Sequence, residues 1–90
     1  KTEVCFEVVE QMARSIRKIC LSDFSIATSG YSGPSGGTKV NPIGSIFIAI
    51  SSNKRTISKR FIFEGDRDSI VNQSVDSAVG FLLQELKNQQ

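Results

Sequence analysis

The sequence of 90 residues is 39% hydrophobic and 22% charged, carries a net charge of +2 and contains no histidine. This composition indicates one small globular domain and excludes disordered, collagen-like and coiled-coil chains. The small net charge does not indicate nucleic-acid binding. Without histidine the sequence offers no Ser-His or Cys-His dyad and no imidazole ligand for a metal. We therefore expect no nucleic-acid partner and no metal site.

Membrane association and disulfide bonding are not indicated either. No apolar stretch approaches the length of a membrane span, and the first residues form no signal core. Cys5 and Cys20 fall in one predicted helix, about 22 Å apart at 1.5 Å per residue. A disulfide needs Cα atoms within roughly 7 Å, so these two thiols cannot pair with each other. Free thiols predict a reducing compartment, the cytoplasm.

The first predicted element is a helix from Thr2 or Cys5 to Cys20. Glutamates occupy its first half and basic residues its second half, an order that complements the helix dipole, and Glu10 and Arg14 form a favourable i,i+4 pair. The evidence for the helix is an apolar stripe at three- and four-residue steps: Val4, Val8, Val9, Met12, Ile16 and Ile19.

Three strands are predicted next. Phe24–Ser29 is a short buried strand that ends at Gly30, where a long loop rich in glycine and proline begins and runs to Gly44. The nearly continuous apolar run Ser45–Ser51 is typical of a strand that is covered on both faces. Turn residues separate it from an alternating strand, Thr56–Glu64, and the two are expected to form a hairpin.

The last predicted element is a helix that Asp66 or Asp68 can cap and that ends near Lys87. Its apolar face consists of Val71, Val75, Ala78, Val79, Leu82 and Leu86. The element order is therefore α-β-loop-β-β-α, and it predicts a layered α/β sandwich with a mixed sheet that contains a hairpin. The apolar surface exceeds what 90 residues can bury, so we expect an oligomer or a complementing segment.

Basic residues come nearest to a cluster in the hairpin, at Lys54, Arg55, Lys59 and Arg60. No aromatic pair is interleaved with them for base stacking. A solvated hairpin surface is therefore favoured over a phosphate-backbone contact.

The loop Ser29–Thr38 carries the residue-level evidence for function. Glycines allow backbone amides to approach a ligand closely, and successive amides form an anion-binding nest, to which the serine and threonine hydroxyls add donors. The alternative is a loop without a ligand, since Gly/Ser/Pro segments commonly have no further role. The loop is neither a Walker loop nor a G-x-G-x-x-G turn before a helix.

The loop and its surroundings resemble the C-terminal domain of CinA-type competence/damage-inducible proteins. Ala27–Thr38 is similar to that family's A-x-T-G-I-A-G-P-x-G-G-T, and Asn41–Ala49 is similar to the segment K-P-V-G-T-V-x-I-A that follows it. Phe63–Arg67 matches F-x-G-D-R before the last helix, and Val8–Ala13 matches the helix around E-x-M-A. The resemblance covers nearly the whole chain in consistent order.

The resemblance implies a bacterial nicotinamide-nucleotide amidase of pyridine-nucleotide recycling. Such an enzyme hydrolyses nicotinamide mononucleotide to nicotinate mononucleotide and ammonia, and no cofactor is implied. The family domain starts well before Lys1, and that earlier part carries the S-C-T-G-G serine and a Tyr/Lys pair usually assigned to nucleophilic chemistry. This sequence contains no S-C-T-G-G. We therefore expect residues 1–90 to be the C-terminal part of an amidase domain, inactive alone.

Four positions depart from the family pattern. Ser29 replaces a threonine and keeps the hydroxyl, Tyr31-Ser32 replaces Ile-Ala, and Val71 stands where many members carry an arginine. The resemblance then implies that this chain supplies hydrogen-bond donors rather than the nucleophile.

Ser29 is the candidate for an auxiliary catalytic role, and Arg67 for a phosphate or carboxylate clamp. Arg67 could instead form a surface ion pair, and Tyr31 could either stack on a pyridine ring or pack over the loop. The predicted substrate-binding residues are Gly30, Tyr31, Ser32, Gly33, Gly36, Gly37, Thr38 and Arg67.

Two further hypotheses compete with the amidase. The chain could be a non-catalytic nucleotide-binding module, or an oligomerisation module that only completes an α/β sheet. The missing serine motif favours these two for the chain in isolation, whereas the retained loop favours the amidase for its parent protein.

Overall fold

The structure, a computed structural model, describes residues 5–33 and 36–89. In chain order its elements are helix α1 (Phe6–Cys20), strands β1 (Phe24–Gly30), β2 (Ser45–Ser52) and β3 (Thr56–Ile62), and helix α2 (Arg67–Asn88). The predicted α/β class, the element order and the hairpin are confirmed. Neither helix of the described part is long and apolar enough to cross a membrane.

The sheet has the order β1-β2-β3, and both pairings are antiparallel. The described strands therefore form an antiparallel sheet and not the mixed sheet that was expected. The reason is the connection between β1 and β2, a loop that reverses the chain without the crossover helix that a parallel pair needs. In the register, Gly30 lies opposite Ile46 and Ser29 lies opposite Phe47.

All eight residues of β2 are buried, as the apolar run Ser45–Ser51 predicted. Successive side chains of a strand point to opposite faces of the sheet. Phe47 and Ala49 pack on one face with Val9 and Ala13 of α1, together with Ala27 of β1. On the other face Ile46 and Ile48 pack with Ile70 and Ala78 of α2. The fold is thus a sandwich of three layers, α1, the sheet and α2.

Local signals explain where the helices begin and end. Leu21 closes α1 in the left-handed conformation (φ 51°). The N–H groups of Leu21 and Ser22 donate to the carbonyls of Lys18 and Arg17. Asp66 caps α2, because its carboxylate accepts a hydrogen bond from the Ser69 N–H at 2.9 Å. The cap is therefore Asp66 rather than Asp68, and the first predicted start of α1, Thr2, lies outside the described residues.

The four basic residues of the hairpin are exposed, as expected for a solvated surface. Arg55 nevertheless makes two 2.6 Å hydrogen bonds to Glu85, whose side chain is only 1% exposed. These bonds hold the pKa of Glu85 at about 2, below its ordinary 4.5, although burial acts in the opposite direction. The ion pair fixes the end of α2 to the β2–β3 turn, a contact that sequence analysis did not anticipate.

Candidate functional site

A cleft of about 370 Å³ lies between the end of β1 and helix α2. One side is polar and the other is apolar. The polar side comes from β1 and the start of the loop, through Thr28, Ser29, Gly30 and Ser32, while α2 contributes an apolar wall formed mainly by Val71, Val75 and Val79. Its size and its combination of an apolar wall with a few polar groups are those of a small-molecule site.

Backbone groups of β1 face the open side of this cleft. The Tyr31 N–H bonds to the Ser45 carbonyl, and the pairing of β1 with β2 continues from there in the antiparallel register. In such a ladder every second residue bonds to the partner strand, and the residues between them direct their N–H and C=O groups away from it. The outward groups of β1 therefore belong to Phe24, Ile26, Thr28 and Gly30. Those of Thr28 and Gly30 lie at the cleft.

The register of β1 against β2 also determines which hydroxyl group lies in the cleft. Ser29 lies opposite Phe47, on the sheet face that packs against α1. Ser25, on the same face of β1, donates its hydroxyl to the Ala13 carbonyl of α1. Ser29 therefore contributes to the wall of the cleft while its side chain is directed to the α1 face. Thr28, one residue earlier, is exposed and directs its hydroxyl to the α2 face, into the cleft.

Arg67 joins the first turn of α2 to the loop. Its Nη1 donates to the Ser32 hydroxyl oxygen at 3.1 Å and to the Gly33 carbonyl at 3.0 Å. The salt bridges within residues 5–33 and 36–89 are Glu10–Arg14 and Arg55–Glu85, so the alternative of a surface ion pair for Arg67 is not realised there. Arg67 and Ser32, which sequence analysis placed in one site, are thus brought together.

The remaining predicted loop residues lie outside the cleft lining. The Thr38 hydroxyl accepts a hydrogen bond from the Asn41 N–H at 2.9 Å and closes a turn within the loop. The Tyr31 N–H donates to the Ser45 carbonyl, the Tyr31 carbonyl accepts from the Gly44 N–H, and the ring lies beside Gly36. This position corresponds to packing over the loop. Pro34 and Ser35 lie outside the described residues.

The loop glycines have structural reasons for being glycine. Gly33 (φ +88°) and Gly36 (φ +107°) have the left-handed backbone that other residues rarely adopt. A Cβ at Gly30 would collide with the Ser45 carbonyl, and one at Gly37 would lie 2.5 Å from the Ile43 nitrogen. The conformation and packing of the loop therefore account for its glycines, and the cleft is the feature that indicates a ligand.

The sequence motifs did not indicate Thr28 or the three valines as candidate site residues. The valines repeat at i, i+4 and i+8 on α2, and their pattern predicts only the apolar face of that helix. Val71 was noted as a departure from the family arginine, and it forms the end of the apolar wall nearest Arg67. The excess of apolar surface on α2 was the signal in the sequence that could have indicated the three valines.

The family model of the CinA C-terminal domain matches residues 1–86. The chain belongs to the CinA C-terminal domain family. Among curated members, it is 38% identical over 78 residues to the nicotinamide-nucleotide amidohydrolase PncC of Pseudomonas putida, a match that covers 87% of this chain and 49% of that protein. It is also 36% identical over 83 residues to a CinA-like protein of Geobacter metallireducens, covering 92% of this chain and 20% of that protein.

Solved structures of the CinA superfamily share the fold. The protein from Klebsiella pneumoniae 700603 matches with a TM-score of 0.88 and 32% identity, over 94% of this chain and 53% of its own. The protein from Enterobacter cloacae matches with a TM-score of 0.86 and 36% identity, over 92% of this chain and 49% of its own. This CinA-family chain therefore spans about half the length of the Pseudomonas amidohydrolase and of these solved relatives.

Proposed function

We propose that residues 1–90 are the C-terminal part of a nicotinamide-nucleotide amidase domain and form its substrate-binding part. The reaction is hydrolysis of nicotinamide mononucleotide to nicotinate mononucleotide and ammonia. One observation carries this proposal: the cleft at the end of β1 combines hydrogen-bonding groups on one side with an apolar wall on the other. Membership of a family that includes an amidohydrolase supports it.

The cleft has complementary surfaces for the two parts of a pyridine carboxamide. The flat ring packs against Val71, Val75 and Val79, where apolar contact removes it from water. The carboxamide lies along β1, where the outward backbone groups of Thr28 and Gly30 bond its nitrogen and oxygen.

Arg67 suits the phosphate of the same ligand. Both protons of its Nη1 are used by Ser32 and Gly33, which leaves Nε and Nη2 to donate to an anion. A guanidinium binds phosphate oxygens through two parallel hydrogen bonds. Because Arg67 also begins α2, the partial positive charge of the helix N-terminus adds to the attraction.

The catalytic roles of this chain and of a complementing segment follow from the chemical groups that this chain can supply. Amide hydrolysis needs a nucleophile, a base, and donors for the oxyanion that forms when the carbonyl carbon is attacked. The chain supplies donors through the N–H groups at Thr28 and Gly30 and the Ser32 hydroxyl. The Ser29 side chain, which is directed to the α1 face, takes no part. The nucleophile comes from a complementing N-terminal segment that the family resemblance implies, so the chain alone is inactive.

A non-catalytic nucleotide-binding module is the second candidate. It is favoured by the lack of any nucleophile–base pair among the residues that line the cleft. A non-catalytic module would bind the same ligand but release no ammonia, either alone or together with a complementing segment. We also propose a cytoplasmic location, which the free thiols of Cys5 and Cys20 support.

Calorimetric titration of nicotinamide mononucleotide tests the binding proposal. We expect Thr28→Pro and Val75→Asp to weaken binding at least ten-fold, because the first removes an N–H donor and the second places a charge against the ring. Asp76→Asn, on the polar side of α2, is the matched control and should bind normally. Equal affinities for all four proteins, with folding verified by circular dichroism, would refute a ligand site in this cleft.

A further inference from the structure

Arg60 of β3 contacts the loop whose first residues line the cleft, although it lies on the other face of the sheet from α2. In the register it is paired with Phe47, whose side chain packs on the α1 face, so the Arg60 side chain is on that face too. Its Nη1 donates to Asn41 Oδ1 at 2.9 Å and to the Val40 carbonyl at 3.3 Å. The sequence pattern indicated only a solvated surface for Arg60, whereas the structure shows it holding the second half of the loop 31–44.

Asn41 is a fixed point in that half of the loop. Its side chain is only 8% exposed. Its N–H donates to the Thr38 hydroxyl at 2.9 Å, and its carbonyl accepts from the Thr38 N–H at 2.8 Å. The next residue, Pro42, has a φ that its ring fixes near −65° in proline generally, about 15° either way. The position of Asn41, which Arg60 holds, therefore sets the course of the chain into Ile43.

Ile43 joins this half of the loop to the half that Arg67 holds. A Cβ added at Gly33 would lie 3.0 Å from Ile43 Cγ2, so the Ile43 side chain lies directly against Gly33. The Gly33 carbonyl in turn accepts the 3.0 Å hydrogen bond from Arg67. The contacts among described residues thus form one continuous series that consists of Arg60, Asn41, Ile43, Gly33 and Arg67.

We propose that Arg60 is a positioning residue of the ligand site. By holding Asn41, it keeps the loop in the conformation that directs Arg67 towards the phosphate of the ligand. Arg60 is not among the described residues that line the cleft, so it acts through the loop and touches no ligand. This assignment rests on the proposed function and deepens it, because it gives a residue on the far face of the sheet a role in phosphate binding.

Two simpler effects of Arg60 make different predictions. Its positive charge alone would attract an anion over a distance, and the neighbouring Lys59 would then do the same. Lys59 is exposed like Arg60 but is on the α2 face, where its Nζ lies 5.5 Å from the Phe81 ring centroid. A contribution to stability alone would weaken binding of every ligand equally. Positioning of Arg67 predicts instead a loss that is confined to ligands with a phosphate.

Calorimetric titration of nicotinamide mononucleotide and of its dephosphorylated nucleoside separates these effects. We expect Arg60→Ala to weaken binding of the nucleotide about three- to ten-fold and to leave binding of the nucleoside unchanged. In a chain that already carries Arg67→Ala, Arg60→Ala should cause no further loss, because the group that it positions is gone. Arg60→Lys, which keeps the charge and one donor group, should recover part of the affinity.

Lys59→Ala is the matched control, since it removes the same charge from the adjacent residue without touching the loop. It should bind both ligands normally. If Arg60→Ala does not fold, Arg60→Met, which keeps the length of the side chain without its donors, takes its place.

Nitrogen–proton correlation spectra of the unliganded chain report on the positioning directly. Arg60→Ala should shift the amide signal of Gly33 and the side-chain Nε signal of Arg67, and Lys59→Ala should shift neither. The proposal is overturned if both signals stay in place, if Arg60→Ala weakens the nucleoside as much as the nucleotide, or if the losses of Arg60→Ala and Arg67→Ala add. If the unaltered chain binds no nicotinamide mononucleotide, the proposed function fails, and the two signals alone decide whether Arg60 positions Arg67.

Discussion

The ion pair between the buried Glu85 and the half-exposed Arg55, at the far end of α2, should make the stability of the chain depend on pH in a defined way. Arg55 Nε and Nη2 each lie 2.6 Å from an oxygen of Glu85, and Gln89 donates to the same carboxylate at 2.8 Å. The Arg55 bonds are the main cause of the low pKa of Glu85, about 2 against an ordinary 4.5. Because the folded-state pKa is the lower one, the stabilisation is complete above pH 4.5 and is lost as the pH falls towards 2.

The magnitude follows from the shift and from the exposure of the partner. One pKa unit corresponds to about 1.4 kcal/mol, so the full shift would be worth roughly 3 kcal/mol. The Arg55 side chain is 51% exposed, and solvent screening reduces the contribution to about 1–2 kcal/mol. We expect Glu85→Gln to lower the free energy of unfolding by that amount at pH 7 and by almost nothing near pH 2.

Urea denaturation followed by far-ultraviolet circular dichroism, repeated from pH 7 to pH 2, measures this difference. Asp76→Asn on the same helix is the control, since Asp76 is exposed, and it should change stability little at any pH. A deficit of Glu85→Gln that is the same at pH 7 and pH 2 would refute the assignment, because the loss would then come from packing and not from the charge.

Three further predictions concern the loop and the cleft. Arg67→Ala and Ser32→Ala should each weaken binding of nicotinamide mononucleotide. Because the two side chains are hydrogen-bonded, the double variant should lose less binding free energy than the sum of the two single losses, and additive losses would exclude the coupling. Titration of the dephosphorylated nucleoside should show a smaller effect of Arg67→Ala. In thermal melts, Gly30→Ala should destabilise the chain by more than about 2 kcal/mol because the added Cβ meets the Ser45 carbonyl. Gly80→Ala, in an open position on α2, should stabilise the chain by about 0.5–1 kcal/mol. The chain alone should release no ammonia from nicotinamide mononucleotide in a coupled assay; release at the rate of a complete family member, abolished by Ser29→Ala, would show that the nucleophile is here.

The elements of the fold were largely readable from the sequence because they depend on local periodicity. An apolar stripe at three- and four-residue steps predicted α1, and the structure confirms the helix, although Val9 is the one described member of that stripe that is buried. The apolar run Ser45–Ser51 predicted a strand covered on both faces, which the structure also confirms. The antiparallel arrangement was not readable, since a buried strand has the same apolar composition in either kind of sheet. The Arg55–Glu85 pair joins residues thirty positions apart, and a separation of that kind leaves no periodic signal.

The candidate site was readable only in part. The loop motif drew attention to Ser32 and Arg67, which the fold brings into contact. The motif also pointed to Ser29, but the alternation of side chains along β1 gives the cleft the hydroxyl of Thr28 instead. That assignment depends on the register of β1 against β2, and the register is set by tertiary pairing across a loop of fourteen residues, 31–44. Sequence spacing alone could not supply it.

The central claim is that this chain is the substrate-binding part of an amidase whose nucleophile comes from a complementing segment. Its most direct test is release of ammonia from nicotinamide mononucleotide by three samples: the chain, the unmatched part of the Pseudomonas amidohydrolase, and their mixture. The account predicts ammonia from the mixture alone, with a rate reduced at least ten-fold by Thr28→Pro in this chain. A mixture that releases no ammonia, or a chain that is equally active without its partner, would contradict it.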